Sequence, residues 1–209
     1  MEFKLGAKVN AADDQQVGTL AYIVIDPEKR QVTHLVVRKG LLFTRDEVIP
    51  INAVGNAEGD RINLLQTARD LEQYPQFEVS QLVETEPEGA MHESSPVLIG
   101  SISAGSAPMP AGPRYINRMV RNIPIESIAL KEGAKVITSD DRHAGNVDRL
   151  ITQVEEEHRI SHLVVSQGLV LRKWSLVPAD WISNLQDSEI DLAVDAQRFD
   201  SLPEYEPLL

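Results

Sequence analysis

The sequence Gly133-Ala-Lys-Val136 repeats Gly6-Ala-Lys-Val9, which stands 127 positions before it. Further matches follow in the same order, first at an offset of 127 residues and then at an offset of 128. The matched residues are Asp13 and Asp14 with Asp140 and Asp141, Gly18 with Gly145, His34 with His162, Gly40 with Gly168, and Pro50 with Pro178. We therefore interpret the chain as a unit that has been duplicated.

Each copy contains a segment rich in β-branched residues that predicts a β-hairpin, at residues 19–39 and 146–167. The tip of the second hairpin, near Glu155, holds one residue more than the first. An added tip residue costs little, because loop closure depends weakly on length. A slip within a strand would turn its core side chains outward. The hairpin interpretation therefore explains the change of offset.

Beyond the hairpin, each copy continues with a strand that ends at a proline and then a turn-rich segment, at residues 51–61 and 179–189. A short alternating strand follows, and then one or two helical turns that Pro75 or Pro203 stops. Several short strands in about 75 residues predict an all-β fold in which the sheet closes into a small barrel and leaves no exposed edge.

The composition changes between the two copies. We predict a first repeat at 1–80, a linker rich in Pro, Gly, Ser and Ala at 81–126, and a second repeat at 127–209. Within the linker, residues 97–99 favour one added strand. Residues 114–121 carry arginines at spacings of four and three, which predicts a short helix with a basic face.

Composition excludes several classes of protein. The chain of 209 residues has no Cys, so disulfides and thiolate metal sites are excluded. The amino terminus does not resemble a signal peptide, and no apolar run approaches the roughly 20 residues of a membrane helix. We therefore expect a cytoplasmic protein. The net charge is −12, and residues 127–209 contribute −7 of it through eight basic and fifteen acidic side chains. This acidity disfavours direct nucleic-acid binding.

The residues that both copies share resemble the PRC-barrel domain. The similarity rests on the Gly-Ala-Lys-Val start, the Asp-rich turn and glycine, the hairpin with His-Leu-Val-Val, and the Gly-Leu loop before a strand that ends in proline. The resemblance implies two six-stranded barrels in tandem, each with a short helical turn at its carboxyl end, that act as binding or assembly modules. It implies no set of catalytic residues.

The paired histidines and aspartates raise the question of a metal site. His34 and His162 each stand alone in a strand, without a second ligand two or four residues away, which favours a structural role. Asp13-Asp14 and Asp140-Asp141 lack the further oxygen ligands of a calcium loop, and turn formation accounts for them. We expect no metal and no cofactor.

A basic and apolar edge is the candidate surface for a partner. It consists of side chains that flank two apolar loops, together with two tryptophans that only the second repeat has. An alternative is that the cationic stems cover the end of a barrel while their charges stay in water. Each tryptophan can anchor an interface or fill a gap between the barrels. The candidate contact residues are Arg38, Lys39, Phe43, Arg172, Lys173, Trp174 and Trp181.

The chain contains no nucleophile elbow, zinc-protease motif, P-loop or dinucleotide fingerprint. We therefore expect a non-enzymatic adaptor that presents two barrels to protein partners or to itself. One alternative is a factor in ribosome maturation that acts through a ribosomal protein. A second alternative is a peripheral subunit of a photosynthetic-type membrane complex, with Arg114, Arg118 and Arg121 near the membrane.

Overall fold

The computed structural model describes residues 1–40, 45–85, 114–168 and 172–206, and these residues form an all-β protein. The strands of the first repeat are β1 (Glu2–Lys4), β2 (Lys8–Asn10), β3 (Gln16–Asp26), β4 (Gln31–Lys39), β5 (Arg45–Pro50), β6 (Val54–Glu58) and β7 (Arg61–Leu64). The next two strands are β8 (Glu78–Thr85) and β9 (Arg114–Arg121). The strands of the second repeat are β10 (Ile128–Lys131), β11 (Lys135–Ile137), β12 (His143–Gln153), β13 (Arg159–Gln167), β14 (Lys173–Pro178), β15 (Ile182–Leu185) and β16 (Glu189–Leu192).

The two long hairpins are confirmed. Strand β3 pairs with β4, and β12 pairs with β13, both antiparallel. The first tip spans residues 27–30 and the second spans residues 154–158, so the added residue lies in the tip. The helical turns at the end of each repeat are also confirmed, as a 3-10 turn at Asp70–Gln73 and as α1 (Ala196–Asp200).

The segments interpreted as turn-rich contain strands that the sequence did not predict. Each begins with a 3-10 turn, at Ile51–Ala53 or Ala179–Trp181, and continues directly into β6 or β15. Strands β6 and β15 each bury their first and fourth residues, with bulges that shift the register. The burial of these strands therefore departs from strict alternation, and an alternating pattern of apolar residues does not predict them.

The first strand of each repeat pairs with the long hairpin of the other repeat. Phe3 in β1 lies opposite Leu150 in β12, and Leu130 in β10 lies opposite Ile23 in β3. Both pairings are antiparallel, and each residue corresponds to its counterpart at an offset of 127. The repeats are thus joined by a reciprocal exchange of β1 and β10, which we call the exchanged strands.

A bulge in each long strand makes this exchange compatible with pairing inside the repeat. The register of β3 shifts between Leu20 and Tyr22, and that of β12 shifts between Val147 and Arg149. Before the bulge, β3 pairs with β2 of its own repeat, and after it with β10. A bulge bends and twists its strand, so the two halves of β3 face different neighbours.

The hairpin tips also join the repeats. The amide of Val32 donates to the carbonyl of His158 at 3.1 Å, and the amide of Ile160 donates to the carbonyl of Arg30 at 2.8 Å. With these bonds the described strands of both repeats form one 14-stranded sheet. The two closed barrels of the prediction are not confirmed, because this sheet does not close on itself. Each repeat does contribute six strands besides its exchanged strand.

One hydrophobic core runs through both repeats. Phe3 and Leu130, from the exchanged strands, are fully buried in the same cluster as Leu35 of the first repeat and Leu163 of the second. Accordingly, residues 1–77 and 122–209 form one compact unit. The division into segments 1–80, 81–126 and 127–209 stays a prediction.

Residues 78–121 form a separate compact unit, whose described part is the two-stranded sheet of β8 and β9. The predicted helix at 114–121 is wrong, because these residues pair with β8 along their whole length. The side chains Tyr, Ile, Met and Val favour a strand, and strand pairing overrides the helical spacing of the arginines. The added strand predicted at 97–99 lies outside the described residues.

Within the described parts of the chain, no helix combines the length and the apolar character that crossing a membrane requires.

Candidate interaction surfaces

The basic edge predicted for the first repeat is neutralised by ion pairs. Arg38 on β4 donates from Nε and Nη2 to the two carboxylate oxygens of Asp46 on β5, at 3.0 and 2.9 Å. These hydrogen bonds are the main reason why the pKa of Arg38 is raised. Lys39 Nζ lies 2.6 Å from Oε2 of Glu47, whose side chain is nearly buried. Both cations therefore hold β4 to β5.

The second repeat lacks these ion pairs at the matching positions. Ser166 lies opposite Trp174, and the neighbouring pair is Gln167 with Lys173. Arg172 and Lys173 are exposed, whereas Trp174 is half-buried. The indole Nε1 of Trp174 is buried and meets no hydrogen-bond acceptor among the described residues. The two repeats thus differ in chemistry at this edge. Phe43 lies outside the described residues.

Trp181 lies in the 3-10 turn before β15 and packs against the shared core. The guanidinium of Arg198 on α1 lies 5.6 Å from the centre of its ring, a cation–π distance. Nearby, Arg30 from the hairpin tip of the first repeat donates to the carbonyls of Ala179 and Ile182 at 3.2 and 3.1 Å. This turn therefore helps to join the repeats.

Two open clefts flank the edge of the second repeat. The larger has a volume of about 530 Å³ and is lined by polar groups that include His143, Asn146 and Arg172. The smaller has a volume of about 380 Å³ and contains Trp174. Gln167 lies between them and donates to the carbonyl of Ala144 at 2.6 Å. A cleft of this kind can hold a loop or a small polar molecule.

The outer faces of the two long hairpins differ in polarity. In the first repeat, Phe77 covers Val24, Val36 and Val48, and its ring lies 5.0 Å from that of Tyr22. This face is apolar.

At the corresponding place in the second repeat, the buried guanidinium of Arg149 bonds to Glu2 at 3.1 Å and to Asp148 at 2.8 Å. The hydroxyl of Tyr205 donates to the same Glu2 carboxylate at 3.3 Å. Removal of Arg149 would leave carboxylates in a confined place, which is costly. This cluster fixes β1 on the second repeat.

The histidines do not form a ligand cluster. Nδ1 of His34 lies 3.1 Å from the hydroxyl of Thr33, and partial burial lowers the pKa of His34. Among the described residues there is no group of three or more His, Asp or Glu side chains that could hold a metal ion. The Asp pairs lie in turns, where Asp14 and Asp141 have φ near +60°.

The sheet of β8 and β9, which we call the ribbon, exposes large apolar side chains. Tyr115, Ile116 and Met119 are 57%, 52% and 61% exposed. In most folds such side chains are covered, and an isolated two-stranded sheet is only marginally stable in water. The ribbon therefore has the properties of a surface that another molecule covers.

The pairing of β8 with β9 assigns these side chains to two faces. Val79 lies opposite Val120, and Val83 lies opposite Ile116, on one face. Met119 and Tyr115 lie on the other face, because successive strand residues alternate. The sequence interpretation missed this surface because the arginine spacing suggested a helix. The sequence signal for a pair of strands is that residues 78–85 and 114–121 are both rich in Val, Ile, Leu and Tyr.

The three arginines of this segment do not share one face. Arg118 lies on the face of Ile116 and Val120, whereas Arg121 lies on the opposite face. Arg121 Nε is 3.4 Å from Oε1 of Glu78. A single basic face, as the predicted helix would have had, is therefore absent from the described part of the ribbon.

The comparison with known protein families concerns the first repeat. Residues 5–71 match the family model of the PRC-barrel domain, which spans β2 to β7 and begins just after the exchanged strand β1. No curated protein sequence matches the chain. Residues 5–71 of this all-β chain are thus similar to the PRC-barrel domain.

Proposed function

We propose that the protein is a non-enzymatic binding module that holds a protein partner through the ribbon. Protein interaction and assembly are the general roles that a PRC-barrel domain suggests. The observation that carries the proposal is the concentration of exposed apolar side chains on the ribbon. Three of the six exposed large hydrophobic residues of the described chain, Tyr115, Ile116 and Met119, lie on the ribbon.

The main unit supports this role because it is well suited to a scaffold. Its repeats share one core and one sheet, so their strands are held by many main-chain bonds. The remaining cations of the predicted edge, Arg172 and Lys173, are a second contact candidate beside the clefts. That each repeat forms its own barrel for a partner, and that residues 127–209 are a second PRC-barrel domain, stay predictions.

The test compares two triple variants of the full chain. Tyr115→Ser, Ile116→Ser and Met119→Ser together remove the apolar surface of the ribbon. Leu65→Ser and Val154→Ser, with Arg69→Gln, form the control, because these residues are also exposed but lie elsewhere. Each chain is purified from the cells that produce it, and the co-purifying proteins are quantified.

We expect a partner of the wild-type chain to be lost from the ribbon variant at least tenfold and to be retained by the control. Circular dichroism checks that both variants keep the fold. Retention of every partner by a folded ribbon variant would contradict the proposal.

A further inference from the structure

The outer edge of β9 has the features of a receptor for a strand. Strand β9 pairs with β8 over eight residues without a register shift, and β8 is its only partner among the described strands. In an antiparallel pair, alternate residues direct their amide and carbonyl groups away from the partner strand. The β9 sequence has no Pro and no bulge, which are the devices that commonly block a sheet edge.

The positive charge on β9 determines which side chains an added strand should have. Residues 114–121 contain three arginines and no acidic residue. Arg118 lies opposite the neutral Gln81 and is exposed. A carboxylate on a neighbouring strand would meet this charge directly, as opposite charges do in cross-strand pairs.

The neighbours of Arg118 define the rest of the pattern. Ile116 and Val120 lie on the same face of β9, on either side of Arg118. A strand that is added to β9 in register therefore finds an apolar, a basic and again an apolar position along that face. Its complement is a segment that places an apolar, an acidic and an apolar side chain at alternate positions.

We propose that the edge of β9 binds an extended segment of a partner protein with this apolar–acidic–apolar alternation, which adds to the ribbon as a third strand. This inference rests on the proposed function and names its partner's chemistry. Main-chain hydrogen bonds supply the affinity, and the side-chain pattern supplies the specificity, as in other cases of strand addition.

A second copy of the chain fits this edge poorly. Two β9 strands side by side would bring their arginines together, which is unfavourable. The outer edge of β8 offers Val79, Gln81 and Val83 on the matching face, with no carboxylate for Arg118. A nucleic acid fits poorly too, since the chain carries a net charge of −12.

The test uses a labelled peptide of seven residues, Thr-Val-Thr-Glu-Thr-Val-Thr, blocked at both ends, and the full chain. A twin peptide has Lys in place of Glu. Fluorescence anisotropy measures binding to the wild type, to Arg118→Glu, and to the control Arg69→Glu, which reverses an exposed charge outside the ribbon.

We expect the wild type and Arg69→Glu to bind the Glu peptide at least tenfold more tightly than the Lys peptide. Arg118→Glu should reverse that preference, because the same geometry then offers a carboxylate to the lysine. A Glu peptide that is N-methylated at alternate residues, so that one edge has no amide donors and cannot hydrogen-bond to β9, should lose binding at least tenfold.

Several results would overturn the inference. One is equal binding of both peptides by the wild type, and another is unchanged binding of the N-methylated peptide, which would mean docking on a face of the ribbon. Slow hydrogen exchange of the outward β9 amides in the free chain would show that the edge is already covered. Binding to anionic phosphatidylserine vesicles without peptide binding, or a dimer by light scattering that Arg118→Glu dissociates, would assign the edge to another occupant.

If the peptide experiments overturn the inference but the ribbon variant still loses its protein partner, the proposed function is retained. Conversely, a partner that the folded ribbon variant retains would remove the proposed function, whatever the peptides do.

Discussion

At the residue scale, close approaches of main-chain atoms determine which amino acid can occupy certain positions. Gly18 and Gly145 lie at matching positions, in the long strands β3 and β12. A Cβ added to Gly18 would lie 2.3 Å from the carbonyl oxygen of Arg38, and one added to Gly145 would lie 2.5 Å from that of Ser166. Only glycine permits the strands to pair at this distance.

We predict that Gly18→Ala lowers the free energy of unfolding by about 1–3 kcal/mol, the usual cost of forcing extra atoms into a packed place. The matched control is Gly55→Ala, whose Cβ would meet the side chain of the exposed Leu65 at 2.9 Å. That side chain can rotate away, so the control should change stability by less than about 1 kcal/mol. Denaturant titration measures both, and equal losses would contradict the explanation.

A partly buried histidine makes the free energy of unfolding depend on pH. His158 lies in the second hairpin tip, has φ of +62°, and its buried Nδ1 meets no partner among the described residues. Burial, and then the positive amino terminus of Met1, lower the pKa of His158. Because the folded pKa is below the unfolded value, the unfolded chain takes up the proton first, and stability falls as the pH falls through about 6.5.

We therefore predict that His158→Asn loses less stability than the wild type between pH 8 and pH 5. Asparagine tolerates the left-handed backbone, so the fold should be kept. Each unit by which the pKa of His158 is lowered contributes about 1.4 kcal/mol to the difference. Parallel curves of unfolding free energy against pH for the two chains would show that His158 does not titrate with folding.

At the element scale, the exchanged strands join the repeats. Each is short, with three residues in β1 and four in β10, so its main-chain pairing alone is weak. Each strand also buries one large side chain, Phe3 or Leu130, completely in the shared core, and β1 is held in addition by the ion pair of Glu2 with Arg149. The strength of the exchange therefore depends on burial of these two residues.

We predict that Phe3→Ala costs about 3–5 kcal/mol of unfolding free energy and that Leu130→Ala costs about 2–5 kcal/mol. The control is Leu65→Ala, because Leu65 is 62% exposed and its loss should cost less than about 0.5 kcal/mol. Chemical denaturation gives all three values. A cost for Phe3→Ala as small as that of the control would mean that β1 is dispensable.

At the scale of the whole molecule, the main unit should unfold in one step, because both repeats share one core and one sheet. The chain offers a direct probe. Both of its tryptophans, Trp174 and Trp181, lie in the second repeat, so their fluorescence reports unfolding of that repeat alone.

We predict that Ile49→Ala, in β5 of the first repeat, lowers the midpoint of the tryptophan transition as much as the midpoint seen by circular dichroism. Ile49 is fully buried, and its truncation should cost about 2–5 kcal/mol. If the repeats unfolded independently, the tryptophan transition would stay in place while the circular dichroism signal split in two.

The hairpins, their tips and the terminal helical turns were predictable from the sequence because they depend on local patterns. Alternation, turn residues and the prolines Pro75 and Pro203 act within a few residues of one another. The family resemblance was likewise readable from short motifs in the first repeat. The ion pairs of Arg38 with Asp46 and of Lys39 with Glu47 were not predictable, because they depend on the pairing of β4 with β5.

An all-β chain with two long hairpins at corresponding positions thus follows from local residue patterns. The exchange of β1 and β10, and the pairing of residues 114–121 with β8, depend on contacts between distant parts of the folded chain. The physical reason is that alternation tells which side chains of a strand are buried, but not which strand covers them. Either hairpin offers an apolar surface that can cover Phe3. The bend at each bulge and the shared core determine which hairpin does so.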